Sequence, residues 1–251
     1  MFHIGRSGST VLSDMLNDHF SVYWDGEVFY ESTPLGPEDS PPVDLVSSRW
    51  RTSKYYPDLP YKFIESQAAR ASGLTYGCEV KFYHLFNNSI RLNEFVQQLS
   101  DLGFDRFIVL KRKNFLRKIV SSAIALQTGR YHQPTRSKQL LTQISVDPLA
   151  IRVDGNTTPL LERLEKFDND FNELATLLQG RKVLELSYED HIEADPRVAY
   201  RMACDFLAIT PKDVAIRYSK TNPYPLRELI RNFEDFAESL RNTRFEWMLE
   251  D

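Results

Sequence analysis

Apolar residues recur along this chain in two rhythms. Val11, Leu12, Met15 and Leu16 fall on one stripe at helical period, with Ser13, Asp14, Asn17 and Asp18 between them. The same rhythm spaces Ile90, Phe95, Val96, Leu99 and Leu102 and predicts a helix over 88–102, with Asn88 as its cap. It predicts further helices over 114–127, closed by Gly129, over 158–178 and over 196–207. Short apolar runs of the second kind lie between them: Phe2 to Ile4, Gly77 to Tyr83, Arg106 to Lys111 and Lys182 to Ser187. The middle of Arg106 to Lys111 is continuously apolar, as a strand covered on both faces requires. Strand and helix alternate, so the expected fold is α/β, with three layers: a central parallel sheet flanked by helices. Ligands of such sheets bind beyond the carboxyl ends of the strands.

Two stretches break the alternation. Residues 31–60 are rich in proline and aromatics (Pro34, Pro37, Pro41, Pro42, Trp50, Tyr55, Tyr56), and residues 129–156 are polar with few periodic apolar positions. Both are expected to be long insertions within one domain spanning 1–251, of the kind that forms lids or binding loops.

Composition narrows the function classes. A chain of 251 residues with 42% hydrophobic content can bury one large core. Its net charge of −4 argues against a general nucleic-acid or membrane-surface binder. Cys78 and Cys204 fit a reducing compartment and offer no disulfide or metal framework. No apolar run reaches membrane-span length, and no signal peptide pattern stands ahead of the first strand. A cytoplasmic location is therefore expected, although the brevity of that strand leaves open residues ahead of Met1. The five histidines, His3, His19, His84, His132 and His191, show no metal-ligand spacing, so no metal is expected.

Three segments carry candidate chemistry. The first is Gly5-Arg6-Ser7-Gly8-Ser9-Thr10, between the first strand and the first helix. Glycines permit positive φ and a close backbone approach. The first helix amides, the dipole and the hydroxyls then face an anion. This is not the ATP-type phosphate loop, which needs a lysine before its Ser/Thr; here Gly8 runs directly into Ser9 and Thr10.

The second is the strand ending in Lys111-Arg112-Lys113, with Ser121 and Ser122 two turns into the next helix, roughly 10 Å along its axis. Read alone, the segment fits a solvated basic helix start better than a ligand site; three cations at a helix start oppose the dipole, however, which an anion bound there would explain. The third is Tyr188-Glu189-Asp190 at the end of another strand, followed by Asp195-Pro196 and a helix. The two acids fit a structural turn better than a catalytic pair.

In this order the three segments resemble the sulfotransferases that use 3′-phosphoadenosine 5′-phosphosulfate (PAPS). The C-terminal KTNPYPLRELIRNFEDFAESL is similar to the tail of their bacterial, carbohydrate-type branch, so the likeness spans nearly the whole chain. It implies a fold like that of P-loop nucleotide kinases. It also implies sulfuryl transfer to a hydroxyl by in-line displacement, with adenosine 3′,5′-bisphosphate as product.

The resemblance assigns roles. Gly5, Ser7, Gly8, Ser9 and Thr10 would cradle the 5′-phosphate, and Arg6 would contact the bridging or sulfuryl oxygens. Arg112 and Ser121 would hold the 3′-phosphate, and Tyr188 would lie near the adenine. The family usually sets that Arg eight residues before its Ser; Arg112 stands nine before Ser121 and Lys113 eight, so either cation, and Ser122 in place of Ser121, remain open. The Arg-Lys-Gly tail of small-molecule sulfotransferases is absent, leaving Lys220 as a loose substitute.

The acceptor hydroxyl needs a base. Glu27, where carbohydrate-type members carry an acid, is the first candidate and His84 the second. Lys81, inside a strand, is expected near the sulfuryl group or the acceptor, because a buried lysine is costly unless paired. The expected acceptor is a carbohydrate or another hydroxylated metabolite, with Trp24, Phe29, Tyr30 and the aromatics of 31–60 available to stack on it. Nucleic acid and membrane are not expected partners. The alternatives are an ATP-dependent P-loop kinase and a binding protein of sulfotransferase type without activity.

Overall fold

The computed structural model describes residues 1–28, 59–135, 137 and 140–250. Its chain alternates as the apolar rhythm predicts. β1 (Phe2–His3) leads through the glycine loop into α1 (Ser9–Asn17), and β2 (Val22–Glu27) follows. Next come α2 (Leu59–Arg70), β3 (Thr75–Lys81), α3 (Phe82–Asn87), α4 (Leu92–Asp101), β4 (Arg106–Lys111) and α5 (Phe115–Thr128). A small hairpin of β5 (Ile151–Val153) and β6 (Asn156–Thr158) precedes the long α6 (Leu160–Leu177). β7 (Lys182–Ser187), α7 (Tyr188–His191) and α8 (Arg197–Leu207) complete the alternation, and α9 (Leu226–Leu229) and α10 (Phe233–Glu238) lie in the tail.

The main sheet has five strands in the order β2-β3-β1-β4-β7, all parallel. β1 is central, with Phe2 beside Val80 on one side and Val109 on the other. Along β4, Phe107 and Val109 join a core with α4, α5 and α6, whereas Ile108 and Leu110 join a second core with α1 and α8. Burial on both faces is why RFIVLK reads as an unbroken apolar run. Among the described residues no helix is long and apolar enough to cross a membrane.

Three local expectations shift. The predicted strand over 77–83 is β3, ending at Lys81; Phe82 and Tyr83 already belong to α3. Asn88 does not cap the next helix. It closes α3, donating from Nδ2 to the main-chain oxygen of His84 at 2.7 Å, and the chain turns at Ser89 (φ 57°) before α4 starts at Leu92. The polar stretch 129–156 is not a detached excursion, because Ile144, Val146, Ile151 and Val153 reach the core. The insertion over 31–60 lies almost wholly outside the described residues, as do Phe29 and Tyr30.

Candidate functional site

All three chemistry-bearing segments reach the carboxyl edge of the sheet. The loop after β1 is built from left-handed backbone: Gly5 at φ 76°, Arg6 at φ 54° and Gly8 at φ 82°. Gly8 is needed twice over, for its φ and because a Cβ there would stand 2.8 Å from Ile192 Cγ2. It is the cap of α1, whose first turn carries no acidic residue, so the amides and the dipole there are left for an anion.

A cleft of about 350 Å³ opens against this helix start. Arg6, Gly8, Ser9 and Thr10 line it from the loop, Arg112, Arg117 and Ser121 from the β4–α5 turn, and Tyr188 from the end of β7. Gly5 and Ser7 lie behind this surface rather than on it. Ser7 is fully buried, and its Oγ has no hydrogen-bond partner among the described residues. Only main-chain groups of these two positions remain for an anion in the cleft.

Arg112 donates from Nη1 to the main-chain oxygen of Arg6 at 2.6 Å, and its guanidinium stacks 4.6 Å from the centre of the Tyr188 ring. Both side chains are buried. Lys113 instead turns outward, Nζ standing 2.6 Å from Asp190 Oδ2. Of the two cations left open by the spacing, Arg112 is the one that faces the cleft. Of the two serines, Ser121 is the one on its lining. Its Oγ accepts from Arg6 Nε at 2.9 Å and from Asn222 Nδ2 at 3.2 Å.

The anion expected at the basic start of α5 belongs to the chain itself. Glu189 accepts from the amides of Lys113 (2.9 Å) and Asn114 (3.2 Å), while the Asn114 side chain accepts from the Arg117 amide at 3.0 Å. Those amides are therefore satisfied, and of this segment's cations Arg112 and Arg117 line the cleft.

Arg6 reaches further than its loop. Beyond Ser121, it donates from Nη2 to Thr221 Oγ1 at 2.6 Å and from Nη1 to the main-chain oxygen of Tyr131. It thereby ties the segment after α5 to the segment before α9. Burial and the like charge of Arg112 push its pKa down to about 10, so it remains a cation at neutral pH. Thr221 and Asn222 escaped the sequence reading as individual residues; their only signal was the tail likeness. Lys220, the loose substitute, lines the cleft with Nζ 2.5 Å from Glu193 Oε1.

The other candidates gather at the neighbouring strand ends and do not line the cleft. Lys81 Nζ is 2.5 Å from Glu27 Oε1, and His84 Nε2 is 3.5 Å from Glu27 Oε2. His84, expected at a strand end, sits buried in the first turn of α3. Burial, then the charges of Lys81 and His3, push its pKa down to about 2, so its ring is neutral. The Lys81 stem lies over the glycine loop: a Cβ on Gly5 would meet Lys81 Cε at 3.2 Å. This contact joins the Glu27–Lys81–His84 group to the glycine loop. Glu27 ends β2, a strand the sequence reading had not assigned.

His3 and Glu79 were missed. Both are buried beneath the loop, with His3 Nε2 3.1 Å from Glu79 Oε2. His3 was counted only among possible metal ligands, and strand alternation alone could not reveal its partner. The ligand atoms of His3, Glu27 and Glu79 lie within 4.8 Å of one another. The donor set nonetheless fits a metal poorly. His3 Nδ1 accepts from the Gly5 amide at 3.1 Å, so Nε2 carries the proton and faces Glu79 as a donor. The Glu79 carboxyl is penalised by burial, but His3, Ser13 and the chain amino terminus outweigh that and hold it below the usual carboxylate range.

Comparison with family models, with curated proteins and with solved structures finds no match to this chain.

Proposed function

We propose that the protein is a PAPS-dependent sulfotransferase acting on a hydroxyl of a carbohydrate or similar metabolite. The observation that carries the reading is the closeness of two arginines, buried Arg112 and half-buried Arg6, at a start of α1 that no side chain caps. Burial and the charge of Arg112 raise the cost of the charge on Arg6, burial and the charge of Arg117 that of Arg112, and an anionic ligand relieves both. A cleft of about 350 Å³ falls within the range of small-molecule sites and has the donor set of a phosphorylated nucleotide.

In this reading the main-chain groups of Ser7 and Gly8 and the hydroxyls of Ser9 and Thr10 hold the 5′-phosphate. Arg112 and Ser121 hold the 3′-phosphate, with Tyr188 packed on Arg112. When bound, PAPS supplies a sulfuryl group on a phosphate leaving group. Arg6 and the α1 dipole offset charge that grows on the leaving phosphate. Glu27 takes the acceptor proton on a carboxylate oxygen. Lys81, between Glu27 and Gly5, orients that carboxylate, and neutral His84 borders its other oxygen. The work is positioning and charge stabilisation, as in phosphoryl transfer.

The test is a thermal-shift titration with adenosine 3′,5′-bisphosphate beside ATP with Mg²⁺. At a hundred times its dissociation constant, a ligand stabilises by roughly 2.7 kcal/mol. The expected result is a shift with the bisphosphate, followed by transfer of labelled sulfate from PAPS to an alcohol or glycan. A shift with ATP alone moves the protein to the kinase class. Bisphosphate binding without transfer to any acceptor moves it to the binding-protein class.

A further inference from the structure

Ser121 is more tightly constrained than a cleft serine needs to be. Its Oγ accepts from Arg6 Nε at 2.9 Å and from Asn222 Nδ2 at 3.2 Å. A hydroxyl oxygen has two lone pairs and carries one proton. With both lone pairs engaged, only the proton remains to be placed, and among the described residues Ser121 makes no hydrogen bond as a donor. The residue is buried yet lines the cleft, so the cleft is where an acceptor for that proton can sit.

Asn222 is itself held from both sides. Thr221 Oγ1 accepts from Arg6 Nη2 at 2.6 Å, and the main-chain oxygen of Tyr224 accepts from Arg117 Nη1 at 2.6 Å. Between them Pro223 disfavours helical backbone at Asn222. The Asn222 amide thus reaches Ser121 from a tail segment that two cleft arginines keep in place. A serine fixed as a donor is worth most to an ionised oxygen, because a hydrogen bond to a charged acceptor is roughly twice as strong as one to a neutral acceptor.

We propose that Asn222 is a positioning residue for nucleotide selectivity. By holding Ser121 as a donor, it makes the cleft prefer a 3′-phosphorylated nucleotide to the same nucleotide with a free 3′-hydroxyl. The inference rests on the sulfotransferase reading, which puts the 3′-phosphate at Ser121.

The experiment is isothermal titration of adenosine 3′,5′-bisphosphate and of adenosine 5′-phosphate into the full chain. The proteins are wild type, Asn222→Ala, Asn222→Asp, Ser121→Ala and the Ser121→Ala/Asn222→Ala double variant. Wild type should prefer the bisphosphate by roughly tenfold or more, the worth of a hydrogen bond to a charged group. Asn222→Ala should lower bisphosphate affinity by about three- to tenfold, the worth of one neutral hydrogen bond, and leave 5′-phosphate affinity near wild type. Asn222→Asp keeps the shape but turns the donor into an acceptor for the Ser121 hydroxyl, so it should lose at least as much of the preference. In the Ser121→Ala background Asn222→Ala should change the preference no further, since the group it acts through is gone. Equal losses for the two nucleotides, a preference that survives both Asn222 variants, or additive effects of Ser121→Ala and Asn222→Ala overturns the proposal. The two claims fail differently. No bisphosphate binding by wild type removes the sulfotransferase reading and this inference with it; a bisphosphate preference that Asn222 does not alter removes this inference alone.

Discussion

Arg112 Nη1 donates at 2.6 Å to the main-chain oxygen of Arg6, a residue whose own φ is 54°. A non-glycine residue held in the left-handed region costs on the order of 1–3 kcal/mol, and neighbouring structure must enforce it. Arg112 supplies part of that enforcement with a charge-assisted hydrogen bond. Arg112→Ala should therefore lower unfolding free energy by about 1–3 kcal/mol. It should also weaken adenosine 3′,5′-bisphosphate binding on the order of 10–100-fold, because a ligand cation and the support of the loop are lost together. Denaturant titration and calorimetry measure the two effects. Wild-type affinity in a folded Arg112→Ala variant would remove Arg112 from the site.

Gly8 sets a second, independent constraint. Its φ of 82° and the 2.8 Å approach of Ile192 Cγ2 to a Cβ at that position should each penalise Gly8→Ala. Overpacking and backbone strain of this kind cost roughly 1–3 kcal/mol apiece. Adding Ile192→Ala should recover the steric part and leave the conformational part, so the two substitutions should be non-additive. Strict additivity in urea unfolding would mean that the two positions do not meet.

Much of this architecture was legible in the residues. The stripe Val11, Leu12, Met15, Leu16 and the run RFIVLK gave α1 and β4 because burial on one face or on two imposes those periods. The loop from Gly5 to Thr10 was legible because glycine is the residue that tolerates the φ of 82° and the close approach found at Gly8. What the pattern could not give was side-chain direction. Lys113 stands where the spacing favours it, yet turns to Asp190, since the residue after a strand end is free to swing with the turn. Glu189 looked like a turn acid and is in fact the anion at the start of α5. His3 with Glu79, and Arg6 with Thr221, are partnerships between residues 76 and 215 positions apart, which local periodicity does not encode.

The Glu27–Lys81–His84 group separates rate from binding. Since none of its members lines the cleft at the start of α1, the proposed function predicts that Glu27→Gln leaves bisphosphate affinity near wild type and lowers kcat on the order of 10²–10⁴-fold, the usual worth of a general base. His84→Gln should cost less, because its ring is already neutral and only borders the carboxylate. Single-turnover sulfate transfer beside calorimetry resolves the two. A Glu27→Gln variant with unchanged kcat would pass the role of base to another residue.

The pairing of Lys118 with Asp154 predicts a pH signature. Lys118 is fully buried; desolvation, partly offset by Asp154, pushes its pKa from 10.5 down to about 8. Between those two values the unfolded chain holds a proton that the native chain has released. Stability contributed by this group should therefore rise with pH across about 8 to 10.5, while below pH 8 the full cost of the buried cation is present. Urea unfolding at pH 7, 8, 9 and 10 should show wild type gaining on a Lys118→Met/Asp154→Asn double variant over that interval. Asp154→Asn alone keeps a residue type that tolerates φ 58° but strips the cation of its partner. At pH 7 it should cost about 3–5 kcal/mol, the toll of breaking a buried ion pair from one side. It should also start the rise below pH 8, since Lys118 without its carboxylate releases its proton sooner. A constant difference between wild type and the double variant from pH 7 to 10 would show that Lys118 titrates as an ordinary lysine, and that Asp154 fully offsets its burial.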